Sequence, residues 1–251
     1  MHCHIGSMTS AERIGKSMPT IAVMSPKGGA GKSTLGNVLA TTFYRSGASV
    51  AIMDNDPQKS QRKWKEGRKG ELPVLTKCDI QVVADISNDD FFEVLKDLRL
   101  RNQIVILDTP GRAALVLSRV ILRADLVLIP VRPSPEDIDQ AIEAIKLIRD
   151  EMEGIGRTVP YACVMVETPG SDAFKSKIHK EFEQFAKDEG VQILQTQLRA
   201  REAYRTIFLE RVAVHELDPT KVSGVEKAIA NAEELAGEVY SMLAPRKEDA
   251  A

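Results

Sequence analysis

The segment Ser25-Pro26-Lys27-Gly28-Gly29-Ala30-Gly31-Lys32-Ser33-Thr34 limits what this chain can fold into more than any other. It follows a short apolar run at residues 21–24. It precedes Leu35, Val38, Leu39 and Phe43, which recur on one helical face before Gly47 closes the segment. A glycine-rich turn between strand and helix is the setting of a phosphate loop. Its glycines let successive backbone N–H groups converge on phosphate oxygens, and the helix N-terminus adds its positive dipole end. In such a loop Lys32 bridges the β- and γ-phosphates and the Ser33 hydroxyl ligates Mg2+, with Gly28, Gly29, Ala30, Gly31 and Thr34 completing the cradle. The bland alternative, a turn that only joins strand to helix, is disfavoured by the complete strand–loop–helix setting.

The rest of the chain alternates in the same manner. Strand-like runs at 50–53, 80–83, 104–107, 126–129, 159–166 and 191–194 are separated by helical patterns near 89–100, 135–153 and 172–189, and helical segments near 201–210 and 223–243 follow. Continuous apolar strands such as 104–107 are those covered on both faces. The expected fold is therefore a single α/β domain of the P-loop NTPase type, a mostly parallel twisted sheet flanked by helices. We expect it to span 19–244, with tails at 1–18 and 245–251.

At 251 residues one sizeable core is possible, and a formal net charge of −2 supplies no global field toward nucleic acid or anionic lipid. Binding to either must come from a local patch. Cys3, Cys78 and Cys163 contain no C-x-x-C pair, which fits a reducing cytoplasm rather than a disulfide or zinc framework. His2, Cys3 and His4 could hold a metal, but at a chain terminus a plain tail is the stronger expectation. No run approaches the roughly 20 apolar residues of a membrane span.

Asp108 ends the apolar run 104–107 and is followed by Thr109-Pro110-Gly111, while Asp54 and Asp56 stand in Met53-Asp54-Asn55-Asp56-Pro57-Gln58 at another strand end. Mg-ATP chemistry needs carboxylates near the phosphates. Turn capping is the alternative role for either Asp of the second segment.

The form K-G-G-x-G-K-S-T, with Pro26 where a glycine is usual and an added Lys27, resembles the deviant Walker A motif of the ParA/MinD family of ATPases. The resemblance runs from about Pro19 to Leu243 and implies an ATP- and Mg2+-dependent homodimer. It implies that Lys27 reaches across the dimer to the partner's ATP. It also implies that Asp108 holds a Mg2+-bound water, that Asp56 positions the attacking water and that Asp54 supports the metal shell. Ser60 and Trp64 resemble an S-x-x-x-W helix of small partition proteins. Pro130-Val131-Arg132-Pro133-Ser134-Pro135-Glu136-Asp137 resembles their element beside the nucleotide, which makes Pro133 a nucleotide contact. Residues 198–204 resemble their segment near the DNA-binding face. Where the family often has Asn-Arg, with Asn reading adenine, this chain has Val166-Glu167-Thr168-Pro169, so the resemblance assigns no base contact.

The short stretch before the loop's strand leaves no room for the helix-turn-helix domain of larger members. The Ala- and Glu-rich last helix does not resemble the basic membrane helix of MinD-type proteins. The nitrogenase iron-protein branch is excluded, since no cysteine follows Asp108 closely.

The family's small members bind DNA without sequence preference when dimeric with ATP. Such binding requires only phosphate neutralisation. The expected contacts are Arg199, Arg201, Arg205, Lys175 and Lys177, with the run Lys59, Arg62, Lys63, Lys65, Arg68, Lys69 as competitor. Either cluster alone could be a solvated face. The expected function is a weak ATPase switch, stimulated by a ParB-like or other adaptor, that positions a plasmid, chromosome or protein cluster on the nucleoid. An accessory role in T-DNA processing belongs to the same class. The rival is a switch that acts on a membrane or protein partner without DNA.

Overall fold

The computed structural model describes residues 18–67, 75–111, 114–169 and 177–243, with backbone alone for 114–117. Lys175, Arg68, Lys69, His2, Cys3, His4 and most of both expected tails lie outside the described residues.

The strands are β1 (Thr20–Val23), β2 (Val50–Asp54), β3 (Gln81–Ala84), β4 (Ile104–Asp108), β5 (Leu126–Val131), β6 (Tyr161–Thr168), β7 (Gln192–Ile193) and β8 (Leu198–Arg199). The helices are α1 (Lys32–Arg45), α2 (Ser60–Glu66), α3 (Phe91–Arg101), α4 (Ala114–Arg123), α5 (Pro135–Ile155), α6 (Lys177–Asp188), α7 (Glu202–Glu210) and α8 (Val225–Leu243). The sheet order is β3-β2-β4-β1-β5-β6-β7 with β8 on β6, and every pairing among the described residues is parallel. This is the single parallel α/β domain expected.

Because side chains alternate across each strand, Ile21, Val23, Ile52 and Ile106 enter one core while Ala22, Met53, Val105 and Leu107 enter the other. The first core is closed by α1, α2, α7 and α8, the second by α3, α4, α5 and α6. Both faces are covered, which is why β1, β2, β4 and β5 are buried along their whole length.

The apolar stripe of α8, including Ala228, Ala232, Leu235 and Val239, packs into the first core rather than facing outward. No helix among the described residues is long and apolar enough to cross a membrane. Helix α2 escaped the periodicity because it lies in a polar, basic stretch; only the S-x-x-x-W resemblance pointed to it. Its Trp64 is a buried core aromatic whose Nε1 donates to the Val212 carbonyl at 3.0 Å, tying α2 to the segment after α7.

Candidate functional site

Strands diverge to either side of β1: the chain moves to β2 and β4 on one side and later to β5 and β6 on the other. In parallel sheets the crevice beyond the carboxyl ends at such a reversal is the place for a ligand. Register then decides which residues meet there. Asp54 pairs with Asp108, and Asp108 pairs with Val23, the residue that leads into the glycine-rich loop.

The loop enters α1 through Gly31, which stands in the left-handed region at φ 88 with no side-chain cap on the helix. The first N–H groups of α1 are thus without a side-chain partner and available to an anion. Gly29 is also left-handed, at φ 78, and a Cβ built on it or on Gly28 would meet nothing within 4 Å. Gly31 is different, since a Cβ there would lie 3.3 Å from Val166 Cγ2. Gly111 supports the loop from below, where a Cβ would come 3.3 Å from the Pro26 carbonyl oxygen.

A cleft of about 550 Å³ opens over the loop, lined by Gly28, Gly29, Gly31, Lys32, Ser33, Thr34, Asp56, Pro57, Gln58, Ser60, Pro110, Gly111, Arg132, Glu167 and Phe208. Most expected phosphate-loop residues therefore share one space with Asp56. Ala30 is buried within the loop, and Pro133 does not line the cleft, although its neighbour Arg132 does.

Lys32 is almost fully buried, and its Nζ donates to the Lys27 carbonyl at 2.9 Å. Burial pushes its pKa down, while Asp108 and Asp56 pull it up. Asp108 is completely buried. Desolvation raises its pKa to about 7, against the nearby Ser33 hydroxyl and the Gln61 amide, which favour the charged form, while Asp54 and Asp56 add to the rise. Its Oδ2 accepts from Gln61 Nε2 at 3.2 Å, and its Oδ1 is buried without a hydrogen-bond partner. A hydroxyl and a carboxylate oxygen seeking a donor suit an oxygen-preferring ion such as Mg2+ that keeps its own waters.

Asp54, expected to support the metal shell, is held by backbone N–H groups. Its Oδ2 accepts from the backbone N–H of Gln61 at 3.0 Å and of Arg62 at 3.1 Å, and its Oδ1 from that of Asp56 at 3.2 Å. It caps α2, whose own N-cap, Lys59, is left-handed and offers no side-chain bond. The physical reason is helix-end chemistry: orphan N–H groups take the nearest carboxylate. Burial nevertheless raises the Asp54 pKa. Neither Asp54 nor Asp108 lines the cleft, whereas Asp56, whose Oδ1 accepts from the Gln58 N–H at 2.8 Å, does.

Lys27 does not line the cleft of its own chain either. Its Nζ lies 3.1 Å from Glu136 and 3.6 Å from Asp137, at the first turn of α5.

Sequence reasoning missed Gln61. It is fully buried, and its amide nitrogen bonds the Ser33 carbonyl at 2.7 Å as well as Asp108, while its oxygen accepts from Asn37 Nδ2 at 3.1 Å. One side chain thus joins loop, strand end and the middle of α1. A glutamine within a polar stretch carries no periodic signal; only its place just after Ser60 in the S-x-x-x-W pattern could have marked it.

Of the expected DNA contacts, Arg205 is exposed on α7 and Arg201 is half-buried at that helix's N-cap. Arg199 Nη1 donates to the Pro169 carbonyl at 3.0 Å, and Lys177 lies 3.6 Å from Glu181 on its own helix. In the competing run, Lys59 and Arg62 both pair with Asp85, Arg62 also bonds Glu66, and Lys65 donates to the Cys78 carbonyl at 2.6 Å.

A phosphate loop at a parallel sheet's reversal point, with a buried carboxylate on the neighbouring strand end, defines a P-loop nucleotide-binding protein. Within that class the chain belongs to the VirC1 protein family, whose model matches residues 18–217. It is 33% identical to Protein ParA of Rhizobium radiobacter over 226 residues, covering 90% of this chain and 98% of the relative. Over 203 residues it is 29% identical to the maintenance of carboxysome distribution protein A of Halothiobacillus neapolitanus, covering 79% of this chain and 87% of that one. Among solved structures it resembles the ATP complex of Cyanothece McdA (TM-score 0.67, 18% identity, 90% of this chain and 98% of that one). It also resembles MinD of Pyrococcus horikoshii with Mg-ADP (TM-score 0.63, 15% identity, 91% and 99%). The two structural likenesses concern the fold.

Proposed function

We infer that this protein is an ATP- and Mg2+-dependent switch that dimerises around its nucleotide, hydrolyses it slowly, and in the dimeric state binds DNA without reading its sequence. The observation that carries the reading is the set of groups gathered at the cleft and at the strand end beside it. An uncapped helix N-terminus, a buried lysine and a hydroxyl beside a carboxylate with an unpartnered oxygen are the parts Mg-ATP requires. Lys32 and Ser33 hold the phosphates and the metal, Asp108 holds a water of the metal shell, and Asp56 orients the attacking water. Lys27, drawn to the rim by Glu136 and Asp137 rather than into its own cleft, is the residue for a partner subunit's phosphates.

Helix α7 is the natural link to DNA. It contributes Phe208 to the cleft wall and carries Arg205 outward, with Arg201 at its start. Of the described residues of the competing run, Lys59, Arg62 and Lys65 are engaged with Asp85, Glu66 and the Cys78 carbonyl, so we favour DNA on the α7 side. The cargo is a plasmid, a chromosome region or a protein cluster, and an adaptor of the ParB kind stimulates turnover and release. A switch on a protein partner alone is the second reading. Leu209, 82% exposed beside Arg205, favours it.

DNA retention at two salt concentrations, with ADP and with a slowly hydrolysed ATP analogue, separates these. Retention should appear only with the ATP analogue and fall steeply with salt, because two aligned patches contact about twice the phosphates of one. Replacing Arg201 and Arg205 by Glu should abolish it, while reversing Lys63 and Lys65 should have the smaller effect. Equal retention in both nucleotide states, or none in either, leaves the protein-partner switch.

A further inference from the structure

Asp56 stands on a four-residue turn, Asp56-Pro57-Gln58-Lys59, between β2 and α2. Pro57 presets its own φ, the Asp56 Oδ1 accepts from the Gln58 N–H at 2.8 Å, and the Asp56 carbonyl accepts from the Lys59 N–H at 2.8 Å. The front of the turn is fixed to the sheet by the Asn55 N–H, which donates to the Asp108 carbonyl at 2.9 Å. Its rear is held differently. Lys59, the N-cap of α2, stands in the left-handed region at φ 51, a conformation that a lysine rarely keeps unless its surroundings impose it. Asp56, Pro57, Gln58 and Ser60 line the cleft, but Lys59 between them does not. Its side chain turns to β3 instead. The last residue of that strand, Ala84, pairs with Asp54, and the next, Asp85, is itself left-handed at φ 60. The Asp85 carboxylate takes the Lys59 ammonium on one oxygen and the Arg62 guanidinium on the other. Arg62 is tied a second time, its backbone N–H donating to Asp54 at 3.1 Å. The Lys59 ammonium, with Arg62, holds the Asp85 carboxyl below the ordinary carboxylate range.

Resting on the reading of Asp56 as the residue that orients the attacking water, we propose that Asp85 is a positioning residue for it. By gripping Lys59 and Arg62, Asp85 pins the rear of the turn to β3 and so fixes where the Asp56 carboxylate stands in the cleft. The side chains of Lys59 and Asp85 are 39% and 50% exposed, and ion pairs so open to water contribute little to global stability. Orientation is the steeper demand, since a misplacement of about 1 Å at a reacting group can cost about a hundredfold in rate. A tether too weak to matter for the fold is therefore strong enough to matter for turnover. It also gives the two cations at the head of the basic run an occupation other than DNA.

The test pairs Asp85→Asn with Asp56→Ala. Asparagine tolerates the left-handed conformation, so Asp85→Asn removes the charge and keeps the backbone. In the nucleotide-free chain, amide exchange at Gln58 and Lys59 should quicken by about threefold or more, with thermal unfolding unchanged. Affinity for a slowly hydrolysed ATP analogue, by isothermal titration, should stay within about twofold, whereas single turnover of Mg-ATP should slow about tenfold. Because Asp85 acts through Asp56, the same substitution placed in Asp56→Ala should change turnover by less than about twofold. Unchanged exchange at the two amides, or turnover equal to that of the unaltered chain, overturns the proposal. So does a loss of thermal stability or of ATP affinity that matches the loss in rate, since the ion pairs would then shape the whole cleft. A full tenfold loss in the Asp56→Ala background overturns it as well, because the effect would run through another group. Undiminished turnover in Asp56→Ala alone, or none in the unaltered chain, overturns the reading of Asp56 itself, a result separate from the others.

Discussion

Two parts of the cleft lining are built differently. At the phosphate end the backbone and a few buried side chains specify nearly everything: left-handed glycines, an uncapped helix, and strand ends brought level by parallel register. Elsewhere in the lining, three side chains from three separate elements, Arg132 after β5, Glu167 in β6 and Phe208 in α7, come to one space only because the fold brings them there. Chemistry common to every nucleotide can be carried by local backbone geometry. Side chains gathered from separate elements can be exchanged without disturbing the loop.

The comparison breaks most sharply at Lys32. If the phosphate end holds the bulk of the affinity, Lys32→Ala should lower ATP binding by at least about a hundredfold, the cost of a lost charge-assisted phosphate contact. Its thermal unfolding should be nearly unchanged or improved, because a buried and partly desolvated cation is removed. Wild-type affinity by isothermal titration would move the centre of binding away from the loop.

Next in size is the pair Asp56 and Lys27, which separates chemistry from assembly. Asp56→Ala should bind ATP normally, turn over about a hundredfold more slowly and accumulate as a dimer, since general-base groups typically contribute 10² or more. Lys27→Ala should bind ATP and remain monomeric in size-exclusion runs with Mg-ATP. Its loss also frees Glu136 and Asp137 at the start of α5, where acids are favourable, so the fold should tolerate it.

What could be read in advance follows the same division. The loop, the strand ends carrying Asp54, Asp56 and Asp108, and the alternating architecture are local patterns, and periodicity reports local patterns well. Gln61 was invisible because its importance lies in three long-range bonds, to Asn37, Ser33 and Asp108. A carboxylate at a strand end looks the same in sequence whether or not it also caps the next helix, and the bonds from the Gln61 and Arg62 N–H groups to Asp54 are visible only in the fold. Gln61→Ala should therefore cost about 1–3 kcal/mol of stability through unsatisfied buried groups, with a smaller loss in ATP affinity. Denaturant unfolding with and without Mg-ATP measures both.

The smallest effect concerns protons, and it sharpens what the phosphate end demands. Buried Asp108 has its pKa raised to about 7, chiefly by desolvation, so its charge changes near neutral pH. A carboxylic acid holds a metal-bound water less well than a carboxylate does. Mg2+-dependent ATP binding should therefore tighten as pH rises from 6 to 8, by less than about tenfold per unit and levelling above the pKa. The sign for stability is opposite. A group whose folded pKa lies above its unfolded value binds its proton more tightly in the folded chain. Between pH 7 and the ordinary carboxylate range this residue favours the fold as pH falls, and that contribution fades as pH rises through about 7. Asp108→Asn should flatten both profiles at once, leaving weak, pH-independent Mg2+ linkage and a nucleotide-free stability that no longer declines across neutrality. A binding profile that stays sloped in Asp108→Asn would place the titrating group elsewhere in the cleft, with Lys32, whose pKa is lowered by burial, as the group to examine next.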